Sequence, residues 1–295
     1  MILLSPDNLT DYQLIDTGGF EKLERFGQYI LARPEPQAIW DKSLSEEEWE
    51  MQAHAVFKKD KNSQEKGQWI LKPGMPDKWV FQYRNKDLHL RAKLALSAFK
   101  HVGVFPEQAT NWDFISKTLK KNTEDKPNVL NLFAYTGIAS LAAKAAGADV
   151  THVDSIKQVI SWSRENMQLS GLDNIRWVVE DAMKFVQREV RRGNKYNGII
   201  LDPPAYGRGP DGEKWLLEES LNEILRLCAQ LLKDKDFFFI INLYSLGFSA
   251  LIVENLIKAH FGTDVKHEFG ELFIPDSFGK KLPLGVFSRF SDQDS

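Results

Sequence analysis

Residues 201–209 read LDPPAYGRG, and Leu201 closes the apolar run YNGIIL. Asp202 therefore stands where a buried strand ends, followed at once by Pro203 and Pro204. Each proline ring fixes φ and carries no N–H, so the turn is stiff. The Asp202 carboxyl and the nearby backbone carbonyls are then held as acceptors, suited to an exocyclic amine or a ring N–H. The plainer reading of the same residues is a rigid strand exit with Asp202 as a cap. Tyr206 can stack on a planar base, because an aromatic face accepts many bases, or simply pack within the loop.

Such a turn needs a frame. From residue 127 onward, strand and helix signals alternate: NVLNLF, DVTHVD, IRWVVED, YNGIILD and FFFIIN are short apolar runs. Between and after them come IASLAAKAAG, KQVISWSRENMQLSG, AMKFVQREVRRG, EKWLLEESLNEILRLCAQLL and ALIVENLIKAHFG. The alternation predicts a parallel sheet with helices on both faces, an α/β fold. Continuous apolar strands are what a sheet covered on both sides requires. The tail GELFIPDSFGKKLPLGVFSRF predicts an antiparallel hairpin at the sheet edge. Residues 1–95 read instead as a small β-rich (α+β) domain of short strands and one Ser/Glu-started helix in SLSEEEWEMQAHAVF. Residues 96–126 bridge to the sheet domain, 127–295.

In open α/β sheets ligands sit at the carboxyl ends of the strands. Those ends are Asn131 to Gly137, Asp154, Glu180-Asp181, Asp202 to Pro204, and Asn242 to Gly247. Asp154 suits ribose hydroxyls of either a dinucleotide or S-adenosylmethionine. The first loop separates the two. A pyrophosphate needs G-x-G-x-x-G, whereas NLFAYTGIAS has one glycine, Gly137. It suits the phosphate-free methionine part of S-adenosylmethionine. Asp181 suits an adenine amino group, an N-cap of the helix at AMKFV, or both.

Composition bounds the rest. The 295 residues carry 43% hydrophobic and 27% charged residues with net charge −3. No basic tail advertises nucleic acid, which leaves local basic patches only. The start MILLSPDNLTDYQLID reads as neither leader nor membrane span, so a cytoplasmic protein with no membrane partner is expected. A homodimer is compatible with the sequence. One cysteine, Cys228, excludes an internal disulfide and a cysteine-based zinc site, and the six histidines lack metal-ligand spacing.

NLFAYTG, THVD, ILDPPAYGRG and FKHVGVFPEQATNW together resemble the class I S-adenosylmethionine-dependent methyltransferases. The nearest resemblance is to the group of 23S ribosomal RNA cytosine-C5 and guanine-N7 methyltransferases, in a short subgroup without a PUA domain. The resemblance implies a Rossmann-like sheet, with Asn131, Phe133, Tyr135 and Gly137 along the methionine side of the cofactor. It implies Asp154 and Ser155 at the ribose, Asp181 and Ala182 at the adenine, and Phe105 and Gln108 closing over the cofactor. Asp202, Pro203, Pro204 and Tyr206 become the catalytic set, with RNA, ribosomal RNA foremost, as substrate.

Two departures shape the expected chemistry. Ala205 separates the second proline from Tyr206, where many amino-methyltransferases place the ring directly. Cytosine-C5 methylation needs a cysteine that adds to the ring, and the position after the fifth strand holds Tyr244 in INLYSLGFS. Cys228 sits among Ile224, Leu225, Leu227, Leu231 and Leu232 at helical spacing, as a core residue does. Nitrogen or oxygen methylation without a covalent adduct remains, and nitrogen is the expectation. The alternatives are a small-molecule or protein substrate, and a non-catalytic cofactor binder. Lys58, Lys59 and Lys61, Lys117, Lys120 and Lys121, Arg188, Arg191, Arg192 and Lys195, Arg208, and Lys280 and Lys281 are the local basic candidates for RNA.

Overall fold

The apolar runs after residue 127 form one sheet. Its first five strands are β1 (Asn128–Leu132), β2 (Asp149–Asp154), β3 (Arg176–Val179), β4 (Gly198–Leu201) and β5 (Phe238–Leu243), each parallel to its neighbour. Between them run α1 (Ile138–Ala145), α2 (Lys157–Leu169), α3 (Ala182–Arg191) and α4 (Leu217–Leu231), and α5 (Ala250–Phe261) follows β5. β6 (Glu268–Pro275) and β7 (Lys281–Ser291) complete the edge, β7 antiparallel to β5. Residues Ile2–Leu4 add a last parallel strand on β6, which the sequence did not announce.

The strand order is Ile2–Leu4, β6, β7, β5, β4, β1, β2, β3. The chain thus builds outward from β1 to β3, then returns to the other side of β1 with β4. The order reverses between β1 and β4, and in open α/β sheets that is where a crevice opens for ligand. Every residue of β4 and β5 is buried. Leu130, Leu201, Phe239 and Ile241 pack on one face against Phe185, Leu221, Ile224, Val253 and Ile257 of α3–α5. On the other face Phe114, from the helix Ala109–Lys121, meets Phe238 edge-on at 6.4 Å. Phe238 also lies against Gly198, where a Cβ would come within 2.2 Å of the ring.

The computed structural model describes residues 1–60, 66–244, 247–263 and 265–292. Lys61 of the expected basic candidates, and positions 245 and 246 after β5, lie outside them. The chain divides into two units: Met1–Leu4, Thr110–Leu272 and Leu284–Ser295 form one, Ser5–Ala109 and Phe273–Pro283 the other. The division falls at Ala109, inside the segment read as a bridge, and gives the tip of the β6–β7 hairpin to the second unit.

That second unit holds a five-stranded sheet ordered Tyr12–Gly18, Glu21–Phe26, Tyr29–Pro34, Ala55–Lys59, Gly67–Leu71, and the hairpin Lys78–Arg84/His89–Ala95. Its helix is only Glu46–Gln52, started by a capping box between Ser45 and Glu48. The unit buries several charges in pairs. Glu24 joins Arg33 and accepts from the Tyr12 hydroxyl at 2.9 Å. Asp16 accepts from Ser43 N, Leu44 N and Trp49 Nε1 at 3.0, 2.9 and 2.9 Å, and from Lys280 Nζ at 2.8 Å. Removing one member of such a set strands a buried charge, at a cost of about 3–5 kcal/mol. Lys280, expected to face RNA, is a structural cation of this unit.

Candidate active site

The carboxyl ends of β1 and β4 flank the reversal point, so the FAYTG loop and the D-P-P turn face the same crevice edge. In the loop Phe133 has φ 53°, Tyr135 φ 50° and Gly137 φ 88°. Left-handed backbone costs a non-glycine residue about 1–3 kcal/mol, so something must hold the loop there. Asp154 does so from β2: its Oδ2 accepts from Tyr135 N at 2.9 Å and its Oδ1 from Ile156 N at 2.9 Å. Burial raises the Asp154 pKa, and these amides with that of Ser155 oppose the rise. Each carboxylate oxygen keeps a lone pair after one amide, and two ribose hydroxyls could use them.

Beneath the loop lies a polar network that sequence reasoning missed. Asn131 Nδ2 donates to Ser140 Oγ at 2.9 Å, and Ser140 Oγ lies 3.0 Å from His152 Nδ1. His152 Nε2 lies 3.5 Å from Ser163 Oγ, which donates to Tyr135 O at 2.7 Å. Asn166 Nδ2 reaches Thr136 O at 2.9 Å. Ser140 receives from Asn131, and with one hydrogen and two lone pairs its hydroxyl can meet Nδ1 as donor or as acceptor. Burial holds the His152 pKa down at about 3, against the Tyr135 carbonyl, so the ring is neutral. A Cβ on Gly137 would lie 3.2 Å from both His152 Cε1 and Ser163 Cβ, so glycine lets the loop rest on this layer. Asn131, expected along the methionine, turns its amide into this network. The H of THVD was the available signal. A histidine midway along an apolar strand has to be neutral and fully hydrogen-bonded.

Asp202 follows the last residue of β4, Leu201, which pairs with Leu132 of β1 on one side and Ile241 of β5 on the other. Among the described residues its carboxyl has no hydrogen-bond or ion-pair partner. Although part of the residue meets solvent, burial of the carboxyl alone pushes its pKa up to about 7. A carboxyl poised there can take a proton near neutral pH.

The turn is braced from behind by Trp215. Its Nε1 donates to Pro204 O at 2.7 Å, and its ring lies 4.7 Å from that of Phe133. The sequence reads a helix beginning at Glu213, whereas Lys214–Leu216 is a strand paired with Tyr206–Arg208, and α4 starts at Leu217. Burying Trp215 under both motifs outweighs the helical propensity of KWLLEE. The ribbon leaves Tyr206 half exposed, with its hydroxyl accepting from Arg208 Nε at 3.0 Å. Its turn is tied to α3 by the Lys184–Glu213 ion pair.

Asp181 caps α3, its Oδ1 accepting from Lys184 N at 2.9 Å, and Ala182 is the first, buried residue of that helix. Ser155 follows Asp154 at the end of β2. Phe105 and Gln108 belong to the other unit, at the turn Pro106–Gln108. Cys228 is fully buried in α4, and burial pushes its thiol up to about 12, which makes it inert. Two basic candidates are engaged within the fold: Arg188 pairs with Glu180, and Arg192 with Glu189 at 3.2 Å.

A Rossmann-like sheet with an acidic residue ending its second strand, a first loop without G-x-G-x-x-G and a D-P-P turn at the reversal point is the arrangement of a nucleoside-cofactor enzyme class. A family model described as S-adenosylmethionine-dependent methyltransferase matches residues 54–266. The solved S-adenosylmethionine-dependent methyltransferase from Agrobacterium tumefaciens is 37% identical with a TM-score of 0.90, over 99% of this chain and 93% of that one. The chain belongs to the S-adenosylmethionine-dependent methyltransferase family. Ribosomal RNA large subunit methyltransferase K/L of Shewanella frigidimarina is 31% identical over 137 residues, 45% of this chain and 18% of that protein. Ribosomal RNA large subunit methyltransferase I of Aeromonas hydrophila is 38% identical over 89 residues, 29% of this chain and 22% of that protein. The chain therefore spans about a fifth of the length of these relatives.

The residues present fit S-adenosylmethionine. NLFAYTG contains no cation to meet a phosphate, and the charge that faces the loop is the Asp154 carboxylate. Among the described residues, no helix is long and apolar enough to cross a membrane.

Proposed function

We propose that this protein methylates a nitrogen of an RNA base, with ribosomal RNA as the favoured substrate. The observation that carries the reading is Asp202: an unpartnered carboxyl, tuned by burial to about 7, on a stiff turn at the reversal point of the sheet. The cofactor supplies, when bound, a methyl group already activated on a sulfonium. What remains for the chain is to aim a nucleophile and remove its proton. Asp202 accepts a hydrogen bond from the attacking N–H and then its proton, while the proline-fixed carbonyl of Pro203 is a second acceptor. General-base help of this kind is worth about 10²–10⁴-fold, and orientation contributes beside it.

The other roles follow the same reading. Phe133, Tyr135 and Gly137 line the methionine part, Asp154 and Ser155 take the ribose, and Asp181 and Ala182 take the adenine. Tyr206, steadied by Arg208, stacks on the base. The N-terminal β-rich unit serves substrate recognition. The names of the curated relatives favour ribosomal RNA, which would put the enzyme in the cytoplasm. Cytosine-C5 chemistry is disfavoured because the chain's one thiol is sealed in α4 and Tyr244 follows β5.

The test is incubation of the purified protein with tritiated S-adenosylmethionine and ribosomal RNA from a strain lacking the protein. Label in RNA supports the reading. Label in neither rRNA nor tRNA sinks it.

A further inference from the structure

Asp202 has a neighbour whose orientation is dictated from a distance. The Leu201–Ile241 pair is the last between β4 and β5, and the next register position sets Asp202 beside Asn242. Side chains alternate along strands. Leu201 and Ile241 point into the α3–α5 core, so Asp202 and Asn242 both turn to the opposite face. Asn242 is 4% exposed, and its Oδ1 accepts from Asn111 Nδ2 at 3.1 Å. Asn111 Oδ1 in turn accepts from Arg289 Nη1 at 3.3 Å, while that guanidinium also donates to Thr110 O at 3.0 Å and to Glu268 Oε2 at 2.7 Å.

Arginine has only donors. Asn111 must therefore show Arg289 its oxygen and Asn242 its NH2. Asn242 must then show Asn111 its oxygen, which leaves its own NH2 outward. Among the described residues nothing else bonds that amide. A donor of enforced polarity thus stands beside the acceptor Asp202, at the strand ends where the crevice opens.

We infer that Asn242 is a specificity residue that touches substrate: Asp202 accepts from the amine to be methylated, and Asn242 Nδ2 donates to an acceptor atom adjacent to it. The pair reads an amine beside an acceptor, as adenine, cytosine and guanine present; uracil offers the same donor–acceptor pattern at N3–H and O4, and 3-methyluracil, with no base N–H, does not. In the transfer, the nitrogen lone pair forms the N–CH3 bond as the S–CH3 bond breaks. The sulfonium becomes a neutral thioether, and the nitrogen's proton passes to Asp202. This deepens the proposed function and rests on its reading of the acceptor as a base.

Asn242→Asp tests it, because the swap is isosteric and turns the donor into a second acceptor. S-adenosylhomocysteine affinity, by calorimetry, is expected to stay within about twofold. kcat/KM for ribosomal RNA from the deletion strain is expected to fall about 10- to 100-fold, the usual range for one mismatched base contact. Unchanged kcat/KM, or a matching loss of S-adenosylhomocysteine affinity, overturns the inference. A second measurement needs no turnover: the Asn242 side-chain ¹⁵N–H signals of the S-adenosylhomocysteine-loaded wild type, titrated with adenosine, cytidine, guanosine and 3-methyluridine. A shift with at least one amine-bearing nucleoside and none with 3-methyluridine supports the inference. No shift with any of them, or an equal shift with 3-methyluridine, overturns it. A wild type that leaves RNA unmethylated defeats the proposed function alone, and the titration then decides Asn242 by itself.

Discussion

The indole N–H of Trp215 donates to the carbonyl of Pro204 at 2.7 Å, while the same ring lies 4.7 Å from Phe133. One buried side chain therefore ties the FAYTG loop to the D-P-P turn. Under the proposed function the acceptors at the substrate are Asp202 and the Pro203 carbonyl. Trp215→Phe keeps most of the packing and removes the donor. Its expected cost is about 1 kcal/mol of stability by urea unfolding, with kcat down about tenfold and S-adenosylhomocysteine affinity within about threefold. A kcat equal to wild type would mean that the turn holds itself.

Turnover should follow the ionised fraction of Asp202. Below pH 7 the rate should rise about tenfold per pH unit, and above it level off. Asp202→Asn should remove turnover and leave cofactor affinity within a few-fold. Stability moves the other way. The folded pKa lies above the unfolded one, so the native state holds more protons and stability falls as pH rises from about 4 to about 7. Asp202→Asn should therefore be more stable than wild type at pH 8, with the gap closing toward pH 4.

His152 has the opposite sign. Its folded pKa lies below the ordinary histidine value, so its contribution is present above about 6.5 and is lost as pH falls toward 3. His152→Phe should remove that part of the acid sensitivity, seen in unfolding curves between pH 7 and 4. It should also weaken S-adenosylhomocysteine binding about tenfold, because Ser163 and Ser140 lose the ring that links them beneath Tyr135. Unaltered affinity would show that Asp154 alone holds the loop.

Asp154→Asn replaces one accepting oxygen by a donor facing a backbone N–H. Calorimetry should record a drop in S-adenosylhomocysteine affinity of about 100-fold, with the loop amide of Tyr135 newly fast in hydrogen exchange. A protected amide with normal affinity would contradict the role given to Asp154.

Cys228→Ser should leave kcat at the wild-type level and lower stability by about 1–3 kcal/mol, since a hydroxyl replaces a thiol in an apolar site. Loss of turnover in a folded Cys228→Ser protein would revive a thiol mechanism.

The sheet was legible because its strands are apolar on both faces and end in residues that stand out, such as Asp154, Asp181 and Asp202. The ribbon carrying Tyr206 was not. Lys214–Leu216 has helix-forming neighbours, and only a tertiary contact, Trp215 to Pro204, draws it into a strand. Ile2–Leu4 was equally hidden, because its partner Gly270 is more than 260 residues away and local pattern cannot see it. Within the site, acidic strand ends were readable one by one, whereas the Asn131–Ser140–His152–Ser163 layer depends on which residues meet across elements. Lys280 misled for the same reason: a lysine in a Gly-Lys-Lys turn looks solvent-facing, and only the fold puts Asp16 beneath it.

The most direct test of the central claim is mass-spectrometric mapping of ribosomal RNA treated with this protein and S-adenosylmethionine carrying a deuterated methyl group, with Asp202→Asn as the control. The account predicts label on a base nitrogen with the wild type and none with the variant. Label on a base carbon, or equal labelling by the variant, would contradict it.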